Sequence, residues 1–144
     1  MQSTHEDVLI MRMVPQVDPL TRFFWTGGAD GRLRFLRCGA CGYFCHPPTP
    51  RCARCLSADV APQEVSGLGV VHTFTVNYQQ WVPEQPVYVI AVVRLDEQED
   101  LRLTTNIVGC PPEEVTVGMR VHVRFLHRND VWYPLFEPAP KETR

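Results

Sequence analysis

The stretch from Cys38 to Cys55, CGACGYFCHPPTPRCARC, limits what this chain can fold into more than any other. Two Cys-x-x-Cys pairs, Cys38/Cys41 and Cys52/Cys55, are separated by the ten residues Gly42 to Arg51, the layout of a four-thiolate metal site. A pair at this spacing curls its backbone into a knuckle that aims both sulfurs at one ion, and Gly42 relieves the tight turn after the first knuckle. Four thiolates suit tetrahedral zinc and leave no coordination position for water or substrate, so the metal reads as structural. An Fe(Cys)4 centre uses similar pairs and stays open as an alternative. Disulfides need an oxidising compartment, yet MQSTHEDVLIMRM has no basic start, no sustained apolar core and no small-residue cleavage pattern. The expectation is a cytoplasmic protein. Cys45 and Cys110 complete no pair and read as small buried or loop thiols.

With 144 residues, 44% of them apolar, the chain suits one domain, or one domain plus a metal-stapled module. Its net charge of -2 lacks the positive balance of a general nucleic-acid binder. Charge is uneven along the chain: Arg32, Arg34, Arg37, Arg51 and Arg54 crowd the ribbon, while Asp96, Glu97, Glu99 and Asp100 mark an acidic turn. Lys141 is the only lysine, and guanidinium forks favour planar contacts with carboxylate or phosphate. No apolar run approaches the roughly 20 residues of a membrane span.

Residues 1–17 show no clear period; Val8-Leu9-Ile10-Met11 fits a short strand or a tail ordered by a partner. Asp18 as N-cap, Pro19 at the first helical position and the Gly27-Gly28 stop predict a short helix over Pro19 to Thr26. Its Phe23, Phe24 and Trp25 are consecutive, so they cannot share one face; either one points to the ribbon, a ligand or another chain, or all three are divided between core and ribbon. Arg32 to Arg37 alternates as a strand with Leu33, Phe35 and Leu36 inward, leading into the first knuckle. Pro47, Pro48 and Pro50 stiffen the connection between knuckles, where His46 reads as structural or surface.

From Gly67 onward short strands alternate with turns: Val70 to Gln79, Val87 to Leu95, Leu101 to Val108, Met119 to His127 and Val131 to Glu137. The near-continuous apolar run of the second implies burial on both faces. In the fourth, Val121, Val123 and Phe125 share a face. Five strands without intervening helices predict a small, partly open antiparallel barrel of the oligonucleotide/oligosaccharide-binding (OB) type. The expected architecture is therefore mainly β: a tail and short helix over 1–32, a zinc ribbon over 33–62, an OB barrel over 63–138 and a tail over 139–144 that frays.

The aromatic helix, a strand into CxxCG, the proline-containing loop ending in CxxC, a TFT-containing first barrel strand (Gly69 to Thr75) and the Gly118-Met119 turn together resemble the zinc-ribbon/OB-fold proteins associated with acyl-CoA metabolism, over about Pro19 to Pro138. That family was first catalogued as a domain of unknown function, and its ribbon is rubredoxin-like. The wording His46 to Cys55 is similar to its steroid-degradation branch. The resemblance implies a non-catalytic accessory subunit that binds a thiolase-fold aldolase or thiolase and helps form its acyl-CoA site, in retro-aldol cleavage of steroid side-chain CoA thioesters. It also implies a hot-dog-fold hydratase, fused or separate, as a further partner.

The residues are consistent with catalysis lying in the partner. His5, His46, His72, His122 and His127 are scattered, and Cys110 lies in no nucleophile motif. Phe23, Phe24, Trp25, Tyr43 and Phe44 are the candidate docking aromatics, and Arg32, Arg34, Arg37, Arg51 and Arg54 the candidate contacts to CoA phosphates. Two alternatives remain: a nucleic-acid-binding module and an independent acyl-CoA-binding protein. Against the first, the barrel half has no basic residue before Arg94 and only Arg94, Arg102, Arg120, Arg124 and Arg128 ahead of the tail, too sparse for a phosphate track. A five-stranded barrel leaves little interior for the second.

Overall fold

The structure is a computed structural model and describes residues 12–140. The reading of Val8 to Met11 as strand or tail, His5, and the fraying expected beyond 140 lie outside the described residues. A short helix α1 (Arg22–Thr26) and a 3-10 turn (Gly27–Asp30) precede β1 (Arg34–Cys38), β2 (Phe44–Cys45) and β3 (Val60–Glu64), which form one sheet in the order β2-β1-β3. Then β4 (Leu68–Asn77), β5 (Tyr88–Leu95), β6 (Arg102–Ile107), β7 (Arg120–Arg128) and β8 (Val131–Pro138) form a barrel in the order β4-β5-β6-β8-β7.

The barrel is closed, where the sequence suggested a partly open one. Closure uses a parallel contact, Ile107 on β6 beside Phe136 on β8, while the other pairings are antiparallel. Gly69 permits the approach of β4 to β5, because a Cβ there would meet the Arg94 carbonyl. The β7–β8 hairpin turns on Asn129-Asp130, both with φ near +60°, the conformation that a two-residue hairpin loop of the right twist requires.

Two local expectations are corrected. The helix is shorter than Pro19 to Thr26: the Asp18 carboxylate does cap, but it accepts the N–H groups of Leu20 and Thr21 at 2.9 Å in a turn, and helix begins only at Arg22. Strand β5 is not buried on both faces. Val89, Ala91, Val93 and Leu95 point into the barrel, whereas Ile90 is 37% exposed on the outer wall. Its apolar run reflects a barrel interior plus an apolar outer surface beside β6, which periodicity alone cannot separate from double burial.

Ribbon and barrel share packing. Successive residues of β1 face opposite ways: Phe35 enters the barrel core with Phe24, Leu33, Phe44 and Phe136, and Leu36 enters a small ribbon core with Cys38, Cys45 and Cys52. The consecutive aromatics of α1 divide accordingly. Phe24 is buried in the barrel core, Phe23 packs against both cores, and Trp25 meets the barrel core and the cluster around Tyr133. The acidic turn between β5 and β6 latches the joint. Gln98 acts as a strand substitute, accepting from Phe44 N–H at 2.9 Å and donating to Phe44 C=O at 3.0 Å, while the Tyr43 hydroxyl donates to Asp100 at 2.6 Å.

Candidate metal centre and the cleft beside it

The two knuckles bring Cys38, Cys41, Cys52 and Cys55 together so that their sulfurs all lie within 4.8 Å of one another. Cys38 and Cys55 sulfurs are 3.5 Å apart, and those of Cys41 and Cys52 3.6 Å. A tetrahedral ion with metal–sulfur bonds of about 2.3 Å sets sulfurs about 3.8 Å apart, so the donors fit zinc. Backbone N–H groups point at the sulfurs: Cys41 to Cys38 at 3.4 Å, Arg54 and Cys55 to Cys52 at 3.3 and 3.4 Å. The Cys55 N–H, with that of Arg54, pulls the Cys52 thiol down to about 6, and the Cys41 N–H lowers Cys38, both favouring the thiolate a metal needs. Four thiolates would close the shell and hold the two knuckles together, giving the metal a structural task.

The basic residues around the ribbon are largely engaged. Arg34 forms a two-point pair with Asp30, and Arg32 pairs with Glu64 at 2.6 Å. The Arg37 Nε donates to the Gly42 carbonyl, Arg51 donates to the Leu56 carbonyl, and Arg54 lies over the Tyr43 ring. Of the candidate docking aromatics, Phe24 and Phe44 are buried at 6% and 5% exposure, which removes them as surface anchors. Phe23, Trp25 and Tyr43 stay half-buried. Other polar groups are dispersed. His122 contacts Glu137, His127 stacks on Trp132 at 4.0 Å, and His46 is wedged between Phe24 and Phe35. Cys110 packs on the barrel core, where burial pushes its thiol up, the opposite of an activated nucleophile.

A cleft of about 450 Å³ opens between α1, the His46-Pro47-Pro48 loop and the outer wall of β6, and a smaller cavity of about 240 Å³ lies between β5 and β6. Arg12 and Thr104 line both. Sequence reasoning missed Arg12, which sits in a segment with no period, and counted Arg102 of the cleft wall only as an isolated barrel charge. The exposed aromatics Tyr78 and Trp81 lie on the β4–β5 loop, in a stretch without basic residues before Arg94.

A closed OB-type barrel with a four-cysteine ribbon latched to its flank defines the zinc-ribbon/OB-fold class. Within that class, residues 25–61 match the ChsH2 rubredoxin-like zinc ribbon domain and residues 62–126 the ChsH2 C-terminal OB-fold domain. A chain of the solved Ltp2-ChsH2(DUF35) aldolase is 33% identical with a TM-score of 0.77, over 87% of this chain and 98% of that one. This chain belongs to the ChsH2 (DUF35) family. Relatives include a probable enoyl-CoA hydratase alpha subunit of Thermomonospora curvata, 34% identical over 98% of this chain and 44% of its own length. Another is the 3-oxo-4,17-pregnadiene-20-carboxyl-CoA hydratase alpha subunit of Mycobacterium tuberculosis, 33% identical over 88% of this chain and 40% of its own. The chain thus spans less than half the length of these two relatives. Among the described residues no helix is long and apolar enough to cross a membrane.

Proposed function

We propose that this chain is a non-catalytic accessory subunit that binds a thiolase-fold aldolase or thiolase and helps form its acyl-CoA site, in retro-aldol cleavage of steroid side-chain CoA thioesters. The observation that carries the reading is the match, over 87% of this chain and 98% of the other, to a chain of the Ltp2-ChsH2(DUF35) aldolase. The dispersal of the described histidines and the half-buried, raised Cys110 thiol support a partner that supplies the acid, base and nucleophile. Docking would use the half-buried Phe23, Trp25 and Tyr43, with Phe24 and Phe44 bracing them from behind. Arg37 and Arg51, exposed and without carboxylate partners among the described residues, and Arg54, exposed with Asp100 nearby but no direct ion pair, are the better candidates for CoA phosphates than Arg32 and Arg34, which Glu64 and Asp30 already neutralise. A hot-dog-fold hydratase is a second proposed partner, suggested by the hydratase alpha subunits among the relatives.

The test is co-expression with the thiolase-like enzyme encoded nearest to this chain, followed by assay on steroid side-chain and simple β-ketoacyl-CoA thioesters. A stable complex whose carbon–carbon cleavage stops when this chain is omitted is the expected result. Full activity of the enzyme alone would overturn the reading.

A further inference from the structure

We propose that this chain itself binds a small organic anion with an apolar body, seated in the cleft between α1, the ribbon loop and β6, its charged head held by Arg12 and Arg102. The site is a property of the isolated chain and does not rest on the partner reading. The argument begins at Arg12, a half-buried guanidinium that keeps its charge at any accessible pH. Its contacts are one hydrogen bond to Asn106 Oδ1 at 2.8 Å and the Tyr133 ring at 5.3 Å; no carboxylate meets it among the described residues. Burial pulls its pKa down, and among the described residues only the Tyr133 phenol acts against the effect. Buried charges in folded proteins are ordinarily paired. Elsewhere Arg32, Arg34, Arg120 and Arg124 meet carboxylates even at the surface.

The rest of the cleft completes the chemistry. Arg102 lines it from the barrel side, and among the described residues its side chain makes no ion pair or hydrogen bond. Among the described residues no acidic side chain lines either the cleft or the neighbouring cavity, although Arg102 also borders the acidic turn of Glu99 and Asp100 on the side away from the cleft. Phe24, Trp25, Leu103 and Pro134 supply an apolar wall, and 450 Å³ lies within the range of about 300–1,000 Å³ typical of small-molecule sites. The head-group end is preorganised. Asn106 is buried, and its amide donates to the Val89 carbonyl at 2.9 Å, which fixes its oxygen toward Arg12; among the described residues the other guanidinium N–H groups meet no acceptor. At the ribbon side of the cleft His46 Nδ1 is buried without a hydrogen-bond partner, one more polar group the fold leaves open.

Sodium octanoate, octyl phosphate, coenzyme A and neutral 1-octanol are titrated into the zinc-loaded 144-residue chain by calorimetry, with indole N–H resonances followed by NMR. Octanoate or octyl phosphate is expected to bind one to one at least about tenfold tighter than octanol, shifting the Trp25 indole and sparing that of Trp81. R12Q and R102Q should each weaken the anion about tenfold, the effect of one charge-assisted contact, and leave octanol unchanged. Should R12Q fail to fold, the exposed R102Q carries the test. The preference between octanoate and octyl phosphate, and competition by coenzyme A, identify the head group. Equal binding of octanol and octanoate, an unchanged anion affinity in R102Q, or a shift at Trp81 in place of Trp25 would each overturn the proposal.

Discussion

In the barrel, Val71, Val89, Val93, Leu95, Val121 and Phe136 are each no more than 1% exposed and pack in one interior with the aromatics of α1 and β1. In the ribbon the buried cluster is Leu36, Cys38, Cys45 and Cys52, of which only Leu36 and the small Cys45 are ordinary core residues. The barrel can be held by apolar burial, which scales with area. The ribbon cannot, and must draw its stability from a metal. Removing the metal should therefore have the largest and most uneven effect. Free energies of structural zinc binding in small ribbons are about 10–16 kcal/mol, so chelation, or Cys52→Ser, should abolish hydrogen-exchange protection over residues 38–57 while β4 to β8 stay protected. If the barrel opens together with the ribbon, the shared Phe35 and Phe44 make one cooperative unit and the comparison fails.

The reciprocal change is Phe136→Ala. Phe136 is fully buried, lies on the strand that closes the barrel, and is opposite Val123. Truncating a buried Phe costs about 3–5 kcal/mol, and urea unfolding should fall by that amount while the chain still takes up zinc at unchanged stoichiometry. Loss of metal uptake in this variant would show that the ribbon needs an intact barrel.

His46 probes the joint between the two regions. Held between Phe24 and Phe35, it has its pKa driven by burial from an ordinary 6.5 down to about 4. The folded state binds the proton less readily than the unfolded chain, so its stabilising contribution is intact above about pH 6.5 and is lost as the pH falls toward 4, by roughly 1–3 kcal/mol. Acid also protonates the thiolates, so the comparison is between wild type and His46→Leu. The variant should show a shallower decline of stability between pH 6.5 and 4; parallel declines would mean that His46 charges in place.

The difference between the regions also explains what could be read from the chain. The ribbon is specified by residue identity: Cys38, Cys41, Cys52 and Cys55 announce themselves by spacing, and the structure gathers all four. Barrel strands were legible because alternation is a backbone property, visible in the buried Val121 and in Val123 and Phe125 packed on the core. What remained hidden depends on contacts far apart in sequence. The partner of Arg12 is Asn106, ninety-four residues away, and Gln98 seemed part of a solvated acidic turn until Phe44 met it across the joint. Phe24 and Phe44 looked like surface anchors because aromatic clusters have the same composition in a core and at an interface.

Within the ribbon the two knuckles offer the finest form of the comparison. Both close with the same bond, Gly42 N–H to Cys38 C=O at 2.9 Å and Leu56 N–H to Cys52 C=O at 3.0 Å, and in both an arginine, Arg37 or Arg51, donates to the carbonyl of the closing residue. Both closing residues have positive φ, +79° at Gly42 and +66° at Leu56. Only glycine adopts that conformation without a Cβ penalty, which is about 1–2 kcal/mol for other residues. Leu56 is 69% exposed, so it recovers little of this by packing. Leu56→Gly should stabilise the metal-loaded ribbon by about 0.5 kcal/mol, the relieved strain being partly offset by the greater freedom of glycine in the unfolded chain. Gly42→Ala should destabilise it by about 1 kcal/mol. Competition with a zinc chelator reads both, as a slower metal loss in the first variant and a faster one in the second. Equal shifts of the same sign would mean that the knuckles are not equivalent, and that Leu56 is held by contacts its exposure does not reveal.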